Sequence, residues 1–323
     1  MKAIVADPLG GPENLRYLDL PDPGSPAPGY AVVQLEAIGV NFIDVYFRTG
    51  LYKAPETPVR LGNEGAGVVV AAGEGVGLAV GSRVAYAMAR GSYAEYATVP
   101  AAQLVPLPEA ISYEQGAALM LQGMTAHYLT HSTYVLSRGS TCLIHAAAGG
   151  AGSLLVQLAK IAGAKVIGTA GTEEKAAFAH RHGADHVIVY TQTDFEPAVR
   201  EFTAGKGVDV VYDSVGSATF HKSLNCLKPR GMMVSFGQSS GPVGNIDPLL
   251  LSQKGSLFLT RPSLANYIAD PAELHARAND LFGWLQSGRL HLNIQKTYPL
   301  SEAAQAHRDL EARLSTGKLL LVP

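Results

Sequence analysis

The stretch that decides the fold is Thr141–Lys165, TCLIHAAAGGAGSLLVQLAKIAGAK. It begins with a short apolar run, Cys142–Ile144, of the length of a buried strand, and continues into a run whose leucines recur at helical spacing. A glycine-rich turn lies between them, and a second apolar run, Lys165–Gly168, follows the helix. This order of strand, turn, helix and strand is typical of the units that build parallel sheets.

The turn reads AAAGGAG over residues 146–152, an A-x-x-G-x-x-G pattern. It is a variant of the dinucleotide fingerprint in which alanine replaces the first glycine. A pyrophosphate binds backbone N–H groups at a helix N-terminus, so no side chain can intervene at Gly149 or Gly150, and Gly152 allows close packing of helix on strand. The alternative is an ordinary alanine- and glycine-rich turn, but the flanking strands and helix favour a dinucleotide site.

The second strand indicates which dinucleotide is bound. An NAD site usually carries an acidic residue about 20 residues after the turn, where it accepts a hydrogen bond from the ribose 2′-hydroxyl. The matching segment here is GTAGT, residues 168–172, which includes Thr169 and has no carboxylate. Lys175 follows closely and could bind a 2′-phosphate, so the pattern predicts NADPH. The alternative is that Lys175 is only a solvated helix residue.

Composition limits the classes of function. The 323 residues are 47% hydrophobic and 16% charged with a formal net charge of -2, which predicts a globular chain of two domains without a basic surface for nucleic acid or membrane. The two cysteines, Cys142 and Cys226, lie in apolar surroundings, which argues against a disulfide framework and predicts a reducing, cytoplasmic location. The first residues have too short an apolar run for a signal peptide.

The character of the sequence changes along the chain. Up to about residue 121, short strands such as Ser92–Val99 alternate with turns rich in proline and glycine, which predicts a partly barrel-like β domain. Strands and helices then alternate, which predicts a doubly wound parallel sheet. The last part contains helices predicted over Glu273–Gln286 and Glu302–Leu314 and a terminal strand, Lys318–Leu321.

Several segments together resemble the medium-chain dehydrogenase/reductase superfamily, and more narrowly the bacterial NADPH:quinone oxidoreductases related to zeta-crystallin. They are GVNFID at 39–44, LGNEGAG at 61–67, GSYAEY at 91–96, QGMTA at 122–126, VYDSVG at 211–216, SFG at 235–237 and TRPSL at 260–264. The resemblance implies an α/β fold in which a GroES-like, β-rich catalytic domain (1–121 and 263–323) accompanies a doubly wound, Rossmann-type domain (122–262) that binds NADPH.

The resemblance also implies a reaction and an assembly. A small-molecule quinone would bind in the cleft between the domains, beside the nicotinamide. Two chains would form a homodimer, pairing edge to edge through the region Ser256–Thr260.

One departure from the superfamily concerns the metal. Zinc alcohol dehydrogenases of the superfamily hold a catalytic zinc with Cys, His and Cys, and the matching positions here are Asn41, Asn63 and Gln122. Three neutral amides are poor zinc ligands, so we expect no metal to polarise the substrate. Glu64 is then expected to be structural, hydrogen-bonded to backbone.

A quinone is already a strong electrophile, so holding its carbonyl beside the nicotinamide is expected to suffice. The polar side chains expected there are Asn41, Tyr46, Tyr52 and Gln122, which would hydrogen-bond the quinone oxygen or the nicotinamide. For the two tyrosines, aromatic packing is an equally good interpretation. His145, at the end of the first cofactor strand, is expected to be a satisfied core residue.

By resemblance, the cofactor contacts come mainly from the nucleotide domain. The expected residues are Gly149, Gly150, Ala151, Gly152, Thr169, Lys175, Tyr190, Ser214, Phe236, Gly237 and Arg261, with Asn41 and Thr125 toward the nicotinamide. Lys175 and Tyr190 would bind the 2′-phosphate and adenosine, and Arg261 would reach a phosphate or ribose.

Three other functions fit parts of the sequence. Gly237–Gly241 matches the G-x-S-x-G of hydrolases, but Pro242–Gly244 predicts a loop where the nucleophile elbow requires a helix. Relatives of zeta-crystallin can serve as structural or RNA-binding proteins that hold NADPH, although this composition offers no basic patch. Reduction of an activated alkene or enone would use the same hydride, and the sequence does not separate it from quinone reduction.

Overall fold

A computed structural model describes residues 1–313 and 315–323. The chain divides into two compact units: the first unit comprises Met1–Met124 and Tyr267–Pro323, and the second unit comprises Thr125–Asn266. The boundaries predicted for the catalytic and cofactor domains, after residues 121 and 262, stay predictions about function. Leu314, the predicted end of the last helix, lies outside the described residues.

The strands follow one another along both units. They are β1 (Lys2–Ala6), β2 (Leu15–Asp19), β3 (Tyr30–Val40), β4 (Val59–Arg60), β5 (Glu64–Ala72), β6 (Arg83–Ala87), β7 (Tyr96–Pro100), β8 (Leu104–Pro106), β9 (Thr141–Ile144), β10 (Lys165–Ala170), β11 (His186–Val189), β12 (Val208–Asp213), β13 (Leu227–Ser235), β14 (Phe258–Thr260), β15 (Ile294–Pro299) and β16 (Lys318–Val322).

The helices connect these strands. They are α1 (Phe42–Arg48), α2 (Tyr113–Tyr128), α3 (Gly150–Ile161), α4 (Glu173–Arg181), α5 (Phe195–Phe202), α6 (Phe220–Cys226), α7 (Leu249–Gln253), α8 (Leu264–Tyr267), α9 (Pro271–Gln286) and α10 (Ala303–Glu311). Among the described residues, none of these helices combines the length and the apolar run needed to cross a bilayer.

The first unit is organised around β3, the longest strand of its larger sheet. That sheet has the order β15-β16-β3-β5-β6-β8, and β7 also pairs with β3. Along β3, buried Val33, Leu35 and Ala37 alternate with exposed Gln34 and Glu36, because successive side chains of a strand point to opposite faces. A smaller sheet pairs β1 with β2 and β4. The prediction of a β-rich domain is confirmed.

The second unit contains one parallel sheet with the order β11-β10-β9-β12-β13-β14. Counted from β9, this is the 3-2-1-4-5-6 order of the doubly wound nucleotide-binding fold. The central strands are almost wholly buried because helices cover both faces of such a sheet. The predicted α/β fold class, with a Rossmann-type domain, is confirmed.

Two predicted elements differ from the observed ones. The strand expected over Ser92–Val99 begins only at Tyr96, because the N–H of Tyr93 donates to Leu61 and its carbonyl accepts from Ile4. The helix expected over Glu302–Leu314 is observed as α10, preceded by a 3₁₀ turn. In both cases pairing with distant residues sets the boundary.

The turn after β9 explains the glycine pattern of the sequence. Ala146 adopts a left-handed conformation with φ of 51°, which is the conformation that favours glycine at the first position of the fingerprint. Its carbonyl accepts a hydrogen bond of 2.9 Å from the N–H of Gly149. A Cβ on Gly152 would overlap the same carbonyl oxygen, so the last glycine of the pattern is required by packing.

A buried ion pair crosses the middle strand of the larger sheet. Lys318 of β16 and Glu64 of β5 stand on either side of β3, and their Nζ and Oε2 atoms are 2.5 Å apart. Gly39 of β3 leaves the space for this contact. A Cβ at Gly39 would overlap Glu64 Oε2 and would lie 2.8 Å from Lys318 Nζ.

We predict that Gly39→Ala lowers the free energy of unfolding by about 3 kcal/mol or more, because separating a buried ion pair leaves uncompensated charges. Urea denaturation measures the change. Gly283→Ala is the matched control: its Cβ would meet nothing within 4 Å in the middle of α9, so it should raise stability by about 1 kcal/mol. Equal effects of the two substitutions would contradict the role of Gly39.

Candidate active site

The carboxyl ends of the parallel strands gather the residues predicted to bind the cofactor. These residues are Gly149, Gly150, Ala151 and Gly152 after β9, Lys175 after β10, Tyr190 after β11, Ser214 after β12, Phe236 and Gly237 after β13, and Arg261 after β14. Since all six strands run in one direction, these positions share one edge of the sheet. That edge is where doubly wound folds bind their ligands.

The N-terminus of α3 offers backbone N–H groups at this edge. Gly149 is the residue before the helix, and no side chain caps the helix there. A Cβ on Gly149 would meet only the carbonyl oxygen of Ala146, at 3.2 Å. The first N–H groups of a helix have no partner within the helix, and its dipole attracts negative charge, so this turn could hold a phosphate.

The predicted 2′-phosphate site lies at the beginning of α4. Thr172 caps the helix by accepting a hydrogen bond of 3.3 Å from the N–H of Lys175, which is half-buried in the first turn. A Cβ on Gly171 would lie 2.9 Å from the hydroxyl of Tyr190, so the tyrosine ring covers this backbone. The structure therefore brings Lys175 and Tyr190 to the same short segment.

Thr169 and His145 lie beneath the turn. Thr169 is only 2% exposed, and its hydroxyl is 3.0 Å from Nδ1 of His145. The other ring nitrogen, Nε2, is 2.8 Å from the hydroxyl of Ser223, and burial lowers the pKa of His145. His145 is thus a neutral, fully hydrogen-bonded core residue, as expected. The cofactor role of Thr169 stays a prediction.

A buried carboxylate shapes the loop that carries Ser214. The oxygens of Asp213 accept hydrogen bonds from the N–H of Val215 at 2.7 Å and from the hydroxyl of Thr219 at 2.7 Å. A Cβ on Gly237 would lie 2.7 Å from the carbonyl oxygen of Ser214, so glycine allows the two loops to touch. The sequence analysis did not assign Asp213 this role.

Three further expectations concern the same unit. Arg261 donates a hydrogen bond of 2.9 Å to the carbonyl of Ser235, next to Phe236. Thr125 is buried on α2. The segment Gly237–Gly241 is a loop with no helix directly after it, so it lacks the geometry of a nucleophile elbow.

In the first unit, the amide of Asn41 is the centre of a polar cluster. Its Oδ1 accepts hydrogen bonds from Lys318 Nζ at 2.9 Å and from Gln122 Nε2 at 3.1 Å. Its Nδ2 donates to Glu64 Oε2 at 2.8 Å and to the carbonyl of Gly39 at 3.4 Å. All polar atoms of this amide are therefore engaged inside the protein.

The charges of this cluster are fully buried. Glu64 is 0% exposed and Lys318 is 3% exposed. Glu64 accepts the expected backbone hydrogen bond, from the N–H of Leu121 at 2.5 Å, but its Lys318 partner was missed. The available signal was a single cation at the beginning of the apolar run KLLLV.

Asn63 belongs to an adjoining part of the cluster, around Asp44. The oxygens of Asp44 accept from Asn63 Nδ2 at 2.7 Å, from the N–H of Asn41 at 3.0 Å and from the hydroxyl of Tyr93 at 3.2 Å. Burial raises the pKa of Asp44 to about 6, against the effect of these donors. Asn41 and Gln122 are thus in direct contact, while Asn63 is connected to them through Asp44.

A hydrogen-bonded chain supports Asp44 from behind. Arg48 donates to Nδ1 of His307 at 3.0 Å, and forms two hydrogen bonds of 2.8 Å with Glu311. Burial lowers the pKa of His307 to about 3, so its ring is neutral and Nε2 carries the proton. Nε2 is 3.0 Å from the oxygen of Tyr93, whose own proton is then directed to Asp44.

Tyr46 and Tyr52 lie together near α1. Their ring centroids are 5.1 Å apart, and the ring of Phe47 lies edge-on to Tyr52 at 5.8 Å. Aromatic packing is therefore a direct property of both tyrosines. Their catalytic roles stay predictions.

The donor set does not suit zinc. The three matched positions carry neutral amides, and Asn41 Oδ1 already accepts from the ammonium of Lys318, which would repel a metal cation. Within the described part of the chain, His, Cys, Asp and Glu side chains form no group of three or more that could hold a metal ion.

Comparison with known proteins follows the same division. Residues 150–268 match the family model described as zinc-binding dehydrogenase, and residues 27–109 match the alcohol dehydrogenase GroES-like domain. A quinone oxidoreductase of Pseudomonas aeruginosa is 48% identical over 100% of this chain and 99% of its own length. A 2-haloacrylate reductase of a Burkholderia species is 43% identical over 99% and 98%.

A solved structure extends the similarity to the whole fold. The crystal structure of Escherichia coli quinone oxidoreductase complexed with NADPH is 45% identical, covers 100% of both chains and superposes with a TM-score of 0.98. Identity at this level over the full length, together with the two domain matches, shows common ancestry. The chain belongs to the quinone oxidoreductase family of the medium-chain dehydrogenases/reductases.

Proposed function

We propose that this protein is a zinc-independent, NADPH-dependent quinone oxidoreductase. The observation that carries the proposal is full-length similarity to a quinone oxidoreductase that binds NADPH, combined with an uncapped helix N-terminus at the carboxyl edge of the parallel sheet. The cofactor and the reaction named for that relative fit the residues found here.

The second unit offers each part of NADPH a matching group. The N–H groups of Gly150 and Ala151 would bind the pyrophosphate, because α3 begins there without a side-chain cap. Lys175 and Tyr190 would bind the 2′-phosphate end, and Ser214 and its neighbouring loop the ribose and adenine. When bound, NADPH supplies the hydride.

The first unit would position the quinone without a metal. A quinone carbonyl needs little polarisation, so proximity and orientation supply most of the catalysis. Tyr46 and Tyr52 provide aromatic surface for a flat ring, and their hydroxyls could orient it.

A second candidate activity is the reduction of activated alkenes. Its support is the 2-haloacrylate reductase that shares 43% identity over almost the full length. The same hydride would be delivered to a carbon–carbon double bond conjugated to an electron-withdrawing group.

We also propose a cytoplasmic homodimer. Phe258 is 57% exposed on β14, the edge strand of the parallel sheet, and an exposed apolar edge strand is suited to pairing with a second copy. Cys142 and Cys226 are free, buried thiols whose pKa values burial raises, as suits a reducing compartment.

The reaction is tested by steady-state turnover with NADPH and three acceptors: a benzoquinone, a naphthoquinone and an enone. We predict that a quinone gives the highest kcat/KM and that EDTA leaves it unchanged, because the amide cluster does not suit a metal. The enone giving the highest value would select the second candidate. Loss of activity in EDTA, restored by zinc, would contradict the metal-free reaction.

Cofactor choice is tested with Lys175→Ala. A hydrogen bond to a charged group contributes roughly 1.5–3 kcal/mol, so NADPH affinity should fall roughly 10- to 150-fold while NADH affinity is nearly unchanged. Fluorescence titration measures both Kd values. Lys165→Ala is the control, because Lys165 is exposed at the amino end of β10, the opposite end of the strand. Equal weakening of both cofactors by Lys175→Ala would exclude a 2′-phosphate contact.

A further inference from the structure

The orientation of two buried amides can be deduced from their charged neighbours. An amide has an acceptor oxygen at one end and a donor nitrogen at the other, and its partners decide which end faces which way. Lys318 can only donate, whereas the carboxylate of Glu64 can only accept. Asn41 contacts both groups, so its oxygen must face Lys318 and its nitrogen must face Glu64.

The orientation of Asn41 then fixes that of Gln122. Gln122 meets Asn41 at the same Oδ1 atom that accepts from Lys318, so it must present its nitrogen there, at 3.1 Å. Its own oxygen, Oε1, is left over. This atom is buried and has no hydrogen-bond partner among the described residues.

An unpaired buried acceptor is costly in a folded protein, and such atoms deserve a functional explanation. Gln103 Oε1 is a second atom of this kind, but it lies in a short 3₁₀ turn away from the amide cluster. Gln122 Oε1 instead belongs to the cluster at the positions that hold the metal in zinc-dependent relatives. A bound ligand with a hydrogen-bond donor would satisfy it.

We propose that Lys318 and Glu64 are positioning residues that hold Gln122, through Asn41, with its oxygen available to a donor group of the bound reactants. The inference rests on the proposed function and deepens it. It assigns Gln122 as an acceptor, whereas the sequence suggested that Gln122 could donate to the quinone oxygen.

The chemistry of the reactants limits what this donor can be. The oxygens of a quinone only accept hydrogen bonds. The donors present are the carboxamide N–H₂ of the nicotinamide and the O–H groups of the hydroquinone product. Both offer an N–H or O–H to the same acceptor, and separate binding experiments distinguish them.

The first experiment removes the carboxamide donor. Kd is measured by titration calorimetry for NADP⁺ and for its 3-acetylpyridine analogue, in which a methyl group replaces the –NH₂. Wild type should bind the analogue about tenfold more weakly, because the acceptor stays unpaired. In Gln122→Leu the ratio of the two Kd values should approach one.

The second experiment removes the hydroquinone donors. Inhibition constants are measured for a hydroquinone and its dimethyl ether, in wild type and in Gln122→Leu. If the product supplies the donor, wild type should prefer the hydroquinone about tenfold more strongly than the variant does. Comparison with the variant removes the effect of the larger methyl groups.

The positioning role is tested with Lys318→Met/Glu64→Gln. The double change removes both charges together, since Lys318→Met alone would leave a buried carboxylate unpaired and endanger folding. An amide at position 64 can accept from Leu121 and donate to Asn41, which reverses Asn41 and then Gln122. The preference for the donor-bearing ligand should therefore fall to about one, while Gln103→Leu keeps the wild-type ratio.

The outcomes separate the two levels of the proposal. Wild type that treats both members of each ligand pair alike overturns the acceptor assignment, even when quinone turnover is normal. A folded double variant, verified by circular dichroism, that keeps the wild-type preference overturns the positioning role of Lys318 and Glu64. Absence of NADP⁺ binding in wild type would instead contradict the proposed function itself.

Discussion

The contact between Glu64 and Lys318 constrains the first unit more than any other interaction. It joins the terminal strand of the chain to β5 across β3, and it requires a glycine at position 39. Two buried charges lose their hydration, and this cost is offset only if each also receives hydrogen bonds of good geometry. The partners present are the Asn41 amide and the backbone N–H of Leu121, so α1 and α2 are drawn to the same point.

The electrostatic consequence reaches the site. Neutral amides alone could rotate between two equivalent hydrogen-bonding patterns. A fixed cation on one side and a fixed anion on the other leave only one arrangement, and this gives Asn41 and Gln122 defined donor and acceptor ends. Asp44, Tyr93, His307 and Arg48 act similarly behind Asn63, since each hydrogen bond sets the direction of the next.

The second unit depends on a different constraint, the common direction of its strands. Parallel strands place all their carboxyl ends at one edge, so segments far apart in sequence, such as 146–152 and 214–216, meet there. Glycine occurs where backbone must approach backbone, as at Gly152 and Gly237. Ala146 shows that the first fingerprint position tolerates a side chain, at the cost of a left-handed conformation.

The sequence by itself determined the architecture, because periodicity, turns and the glycine pattern are local properties that folding preserves. The strand–turn–helix unit at Thr141–Lys165, the parallel sheet and the β-rich unit were all predicted. It also indicated Asn41, Asn63 and Gln122, but as three equivalent amides. Only the tertiary structure showed that Lys318, 277 residues from Asn41 along the chain, orients that amide, and that Asn63 belongs to Asp44. Hydrogen-bond direction depends on which partners meet in space, and strand order, rather than local sequence, decides that.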